Sequence, residues 1–122
     1  ELMSANQMRH AKLWFAGQGG NWPLAAYELD ELKEGFDDVL AYQPHFKGKP
    51  IEKLLKPMIE PALAALEAAI AARDRVRFEA AFDVLSRACS SCHAELGFGF
   101  IAIQRPSMPP LSNQRFDAAG HP

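Results

Sequence analysis

The feature that most constrains this chain is an apolar stripe near its C-terminal end, where Phe78, Phe82, Leu85, Cys89, Cys92 and Leu96 recur at spacings of four, three, four, three and four. Residues three and four apart share one face of an α-helix. The segment from about Asp74 to Leu96 therefore reads as a helix that must bury one side against other helices. Both cysteines lie on the side to be buried.

The preceding sequence divides into comparable segments at Gly and Pro. Ser4, with Gln7 three residues on, reads as a capping box, and Met3 and Met8 occupy the matching staple positions; that helix runs to about Gly17. Asn21 caps a second helix, with Pro23 in its first turn. Its stripe of Ala25, Leu29, Leu32, Phe36 and Val39 stops before Pro44. Gly35, in mid-helix, is either a tolerated glycine or the mark of a close approach by a helix or cofactor. A third helix, about Pro50 to Ala72, carries Leu55, Ile59, Leu63, Leu66 and Ile70, and Pro57 and Pro61 predict a bend or break in it.

These patterns predict an all-α single domain: an antiparallel four-helix bundle over about 4–96 and an irregular tail over 97–122, opened by Gly97 and Gly99 and holding Pro106, Pro109 and Pro110. The apolar run Phe98 to Ile103 is expected to pack back on the body, and the last few residues to be loose. With 48% hydrophobic and 23% charged residues the composition is that of a globular protein. A net charge of −2 without runs of like charge gives no support to nucleic-acid or membrane-surface binding. No stretch approaches the roughly 18 apolar residues of a spanning helix. The first residues lack the layout of a signal peptide, and the chain is expected to be a mature form after leader removal. The acidic residues Glu28, Asp30, Glu31, Glu34, Asp37 and Asp38 read as a solvated face, or more sharply as a surface for a basic partner.

Two cysteines two residues apart exclude a disulfide framework and leave a redox pair, part of a metal site or a haem anchor. In Cys89-Ser90-Ser91-Cys92-His93 the spacing matches haem attachment, where the two thiols add to the vinyl groups and the histidine binds iron. Cys89, Cys92 and His93 lie on one side of a helix. A thioredoxin-like pair sits instead at a helix start in a βαβ setting. Zinc needs about four ligands in paired motifs, and His45 and His121 lie in a loop and the tail. Coincidence, with two small buried thiols and an exposed histidine, remains the bland alternative.

On this motif near the end of the last of four helices, residues 4–96 resemble the class II c-type cytochromes, the group of cytochrome c′ and cytochrome c-556. The resemblance implies one covalent haem c held inside the bundle, Cys89 and Cys92 as thioether anchors and His93 as proximal iron ligand. It further implies a bacterial periplasmic location, a redox partner protein and a homodimer through the first two helices. The sequence departs from that family after His93, where Ala94-Glu95-Leu96 leads straight into Gly97-Phe98-Gly99-Phe100. The stretch from His10 to Gly17 with Asn21 to Ala25 marks a divergent branch.

Function then turns on the group opposite His93. Methionine favours electron transfer, whereas an open pocket admits a gas. At about 100° per residue from Met8, the apolar face of the first helix centres near roughly 300°, with Met8 about 60° and His10 about 100° from it. Met8 is the first candidate for distal ligand, His10 the alternative, and Met3, ahead of the cap, harder to position. Arg9, Lys12 and Arg87 are candidates to pair with haem propionates, and Trp14, Trp22, Phe82, Phe98 and Phe100 to line the macrocycle. The expectation is a non-enzymatic mono-haem electron carrier, with a nitric oxide- or carbon monoxide-binding or sensing protein as the alternative.

Overall fold

The computed structural model describes residues 1–118. The expected looseness of the last residues, and His121, lie outside the described residues. Four helices, α1 (Leu2–Gln18), α2 (Trp22–Tyr42), α3 (Ile51–Ala71) and α4 (Arg75–Glu95), account for most of the chain. α1 packs along α2, α3 along α4, and α2 against α3, with a smaller contact between α1 and α4. None of the four is long and apolar enough to cross a membrane. The core is drawn from all of them: Leu13 and Trp14 from α1, Leu29 and Leu32 from α2, Ile59 and Leu66 from α3, and Phe78, Phe82 and Leu85 from α4.

A cap that was not read from the sequence opens α4, where the Asp74 side chain accepts from Arg77 N–H. Of the two that were, the one at Asn21 is present, its side chain accepting from Leu24 N–H with Pro23 in the first turn of α2. The capping box at Ser4 is not: α1 begins at Leu2 with Glu1 as N-cap, so Ser4 lies inside the helix. α1 ends at Gln18, within one residue of the expected end, with Gly19 as C-cap. Gly17 is in addition a buried contact point, where an added Cβ would sit 2.2 Å from the Phe78 ring. Gly35 marks the approach of another helix, since a Cβ there would meet Asn6 Oδ1 at 1.8 Å.

α3 runs unbroken through Pro57 and Pro61. Both prolines are exposed, so the carbonyls they leave unbonded can be hydrated, which softens the usual cost of an interior proline. A hairpin between α2 and α3 adds a non-helical element that helical periodicity could not foresee. β1 (His45–Phe46) pairs antiparallel with β2 (Lys49–Pro50), across a two-residue loop whose Lys47 and Gly48 both have positive φ, 51° and 79°, as a type I′ turn requires.

After Glu95 the chain reverses. Phe98 N–H donates to the His93 carbonyl at 2.7 Å and Gly97 N–H to that of Ala94 at 3.1 Å. This is a Schellman ending, with Gly97 at φ 89°. Residues 98–105 then run back beside α4, as expected for the Phe98–Ile103 run. Farther on, Phe116 is buried and packs on Phe15 with ring centroids 6.0 Å apart, and Ala118 N–H donates to the Gly19 carbonyl.

Candidate functional site

A cavity of about 510 Å³ lies against the last turns of α4, within the roughly 300–1,000 Å³ of small-molecule and cofactor sites. Cys89, Cys92 and His93 all line it, facing an apolar wall of Leu32, Phe36 and Val39 from α2 and Ile51, Leu55 and Ile59 from α3. Phe46, Phe98, Ile101 and Ile103 complete the wall. The stripe that puts the thiols on the buried face of α4 thus delivers them and the histidine to one apolar space.

Both cysteines are free thiols. Burial, with a smaller repulsive contribution from Cys92, pushes the Cys89 thiol up to about 12, and burial with the Glu95 carboxylate nearby raises Cys92 as well. A reactive dithiol needs the opposite shift, because the thiolate is the nucleophile. Among the described residues no group of three or more His, Cys, Asp or Glu side chains is arranged to hold a bare metal ion.

His93 is set up by its neighbours. Its Nδ1 lies 2.9 Å from the carbonyl oxygen of Ile101. A carbonyl only accepts, so Nδ1 carries the proton and donates. In the neutral ring the lone pair is then on Nε2, the tautomer in which metal-binding histidines are held by an outer partner.

α1 contributes Met3, Ser4, Asn6, Gln7 and His10 to the cavity, but not Met8, the expected distal candidate. Met3 and Met8 are exposed alike, 41% and 39%, so their place around the helix and not burial separates them. The buried face of α1 is Asn6, His10, Leu13, Trp14, Ala16 and Gly17, centred roughly 170° from Met8 at about 100° per residue. Two polar residues belong to that face, so a face located from apolar residues alone is rotated away from it. Asn6 is 3% exposed; its Nδ2 donates to Met3 Sδ at 3.8 Å, and its Oδ1 accepts from Arg9 at 3.0 Å.

His10 is 6% exposed and lies against the Phe82 ring, 4.3 Å between centroids. Its Nε2 is 2.8 Å from Ser86 Oγ, whose own proton goes to the Phe82 carbonyl at 2.9 Å. The serine therefore accepts, and His10 donates from Nε2. Burial lowers the His10 pKa to about 4, so the ring is neutral.

The cations expected to meet propionates, Arg9, Lys12 and Arg87, are not in the cavity wall. The hairpin supplies others. A smaller hollow of about 250 Å³, sharing Phe46 and Leu96 with the cavity, holds Lys47 and Lys49. Of the aromatic candidates Phe98 lines the cavity; Trp14, Trp22 and Phe82 form a cluster around Phe78 instead. Glu28, read as part of a solvated face, is 4% exposed.

Asn6, Ser86 and Ser90 were not legible as site residues. The available signal was positional: Asn6 and His10 are four apart and continue to Leu13 and Gly17, and Ser90 lies between the two cysteines. Comparison of the chain with protein-family models, with curated proteins and with solved structures gives no match.

Proposed function

We propose that this chain is a mono-haem c-type cytochrome serving as a periplasmic electron carrier, with haem c attached at Cys89 and Cys92 and His93 as the proximal iron ligand. The observation that carries this is the His93 tautomer, Nδ1–H donated to the Ile101 carbonyl and Nε2 left free, on a cavity wall shared with both thiols. The donor set fits haem: two unpaired thiols, an imidazole beside them and an apolar enclosure. When bound, haem supplies a one-electron couple.

The residues of the chain have separable tasks. Cys89 and Cys92 would hold the macrocycle to α4 through two thioether bonds. His93 supplies Nε2. The apolar residues of α2 and α3 exclude water, and Lys47 and Lys49 offer counter-charges to propionates.

The helices are proposed to form an antiparallel bundle, with the chain after Glu95 as an irregular tail. The α1–α4 contacts support this, because the position on α4 falls as that on α1 rises: His10 meets Ser86, Trp14 meets Phe82, and Gln18 meets Glu79. Continued towards the N-terminus, the same register sets Met3 level with His93. Met3 thus replaces Met8 as the proposed distal ligand, with His10, already bound to Ser86, behind it. A redox partner protein, and a dimer through α1 and α2, go with this reading.

A gas-binding protein is the second reading, favoured by the apolar wall of Leu32, Phe36, Leu55 and Ile59. Production of the chain alongside a haem-attachment system decides the first point. Covalent haem should survive denaturation in the wild type and be absent from a Cys89→Ala/Cys92→Ala variant; a wild-type chain without haem would sink the proposal. Visible spectra decide the second. A carrier stays low-spin in both oxidation states and loses that character in Met3→Ala but not Met8→Ala, whereas rapid carbon monoxide binding by the reduced wild type selects the gas-binding reading.

A further inference from the structure

The segment that returns beside α4 is fastened to it at three levels. At the top, Ile101 O accepts the His93 Nδ1 proton at 2.9 Å. One turn down, Ile103 N–H donates to Ser90 Oγ at 2.8 Å, while the Ser90 hydroxyl faces the Ser86 and Ile103 carbonyls at 3.1 and 3.3 Å. Lower still, Arg105 makes a two-pronged bond to Asp83, 2.9 and 2.8 Å, with its guanidinium 4.7 Å from the Trp14 ring centroid. The Gly97 turn starts this strap and Ser90 holds its middle, two residues from the carbonyl that meets His93.

We infer that Ser90 is a positioning residue: by gripping Ile103 it holds the Ile101 carbonyl on His93 Nδ1–H, and so lowers the reduction potential of the iron that His93 binds. This rests on the haem reading above. A hydrogen bond donated from Nδ1 makes Nε2 more basic, and a more basic ligand favours the more highly charged ferric state. The Ser90 hydroxyl bonds only to Ser86 and Ile103, not to Cys89, Cys92 or His93. Ser91, the other residue between the cysteines, makes no hydrogen bond to the strap and is exposed, which makes it the internal control.

The test compares the full haem-loaded chain as wild type, Ser90→Ala, Ser90→Thr and Ser91→Ala, reading the reduction potential and, by proton–nitrogen NMR, solvent exchange at His93 Nδ1–H. Ser90→Ala should shift the ratio of reduced to oxidised protein at fixed poise about tenfold towards reduced, which is 59 mV for one electron, and speed exchange at Nδ1–H. Ser90→Thr, which keeps the hydroxyl, should restore both, and Ser91→Ala should change neither. Should Ser90→Ala fail to fold, Ile103→Pro removes the N–H donated to Ser90 and leaves the serine in place, with the same result expected. Equal potentials and equal exchange in Ser90→Ala and Ser91→Ala would overturn the inference. Failure to take up haem would overturn the proposed function separately, since exchange at His93 Nδ1–H in that same chain still reports whether Ser90 holds the strap.

Discussion

His10 illustrates how one buried residue links stability to acidity. With a pKa lowered by burial from 6.5 to about 4, it is neutral when folded and must gain a proton to be at ease in the unfolded chain at low pH. The unfolded state thus binds more protons between those values, so the associated stability is complete above pH 6.5 and is lost as the pH falls towards 4. The loss amounts to about 3 kcal/mol at 1.36 kcal/mol per pH unit. Denaturant titrations at pH 7 and pH 4.5 should show this fall in the wild type and a markedly smaller one in His10→Gln; equal falls would disprove the assignment. Glu28 carries the opposite sign. Burial raises its pKa against the pull of Lys12 and Arg9, so its stability is complete below the usual carboxylate value and declines as the pH rises. Glu28→Gln should raise the melting temperature at pH 7, and the gain should vanish below about pH 4, a carboxylate range for unperturbed side chains.

Helix packing depends on single atoms. At Gly35 an added Cβ would lie 1.8 Å from Asn6 Oδ1, so Gly35→Ala should destabilise the protein by about 1–3 kcal/mol although alanine favours the helix by about 1 kcal/mol. Thermal unfolding in an Asn6→Ala background should show that cost largely relieved, because Asn6 is gone and the Arg9 guanidinium, itself 2.5 Å from the added Cβ, loses the Asn6 Oδ1 bond that holds it there. The element ends show what could be read in advance. The Asn21 cap was legible because a cap is a local bond between a side chain and a backbone group three residues on. Pro57 and Pro61 were not, because whether an interior proline breaks a helix depends on which face meets water. The hairpin at His45–Pro50 was equally hidden, its strands being too short to show alternation.

For the molecule as a whole, the chain after Glu95 is docked at two separate places, the strap on α4 and Phe116 on α1. Phe116 is 8% exposed, and Phe116→Ala should cost about 3 kcal/mol of stability; on the proposed haem reading it should leave the reduction potential unmoved, since it leaves the His93–Ile101 contact intact. A potential that shifted with Phe116→Ala would show that the two dockings act as one.

The sequence by itself determined four helical segments and the alignment of Cys89, Cys92 and His93 on one side of the last, because helical periodicity and motif spacing are properties of neighbours along the chain. Only the tertiary structure decided which methionine of α1 meets the cavity, which cations line the hollow beside it, and which nitrogen of His93 meets a carbonyl. Each of those depends on a contact between distant segments: Asn6 and His10 turning the polar side of α1 inwards, the hairpin bringing Lys47 and Lys49 to α4, and the strap laying the Ile101 carbonyl on His93. Such contacts leave no period in the sequence, because a buried polar residue looks like an exposed one until its partner is in place.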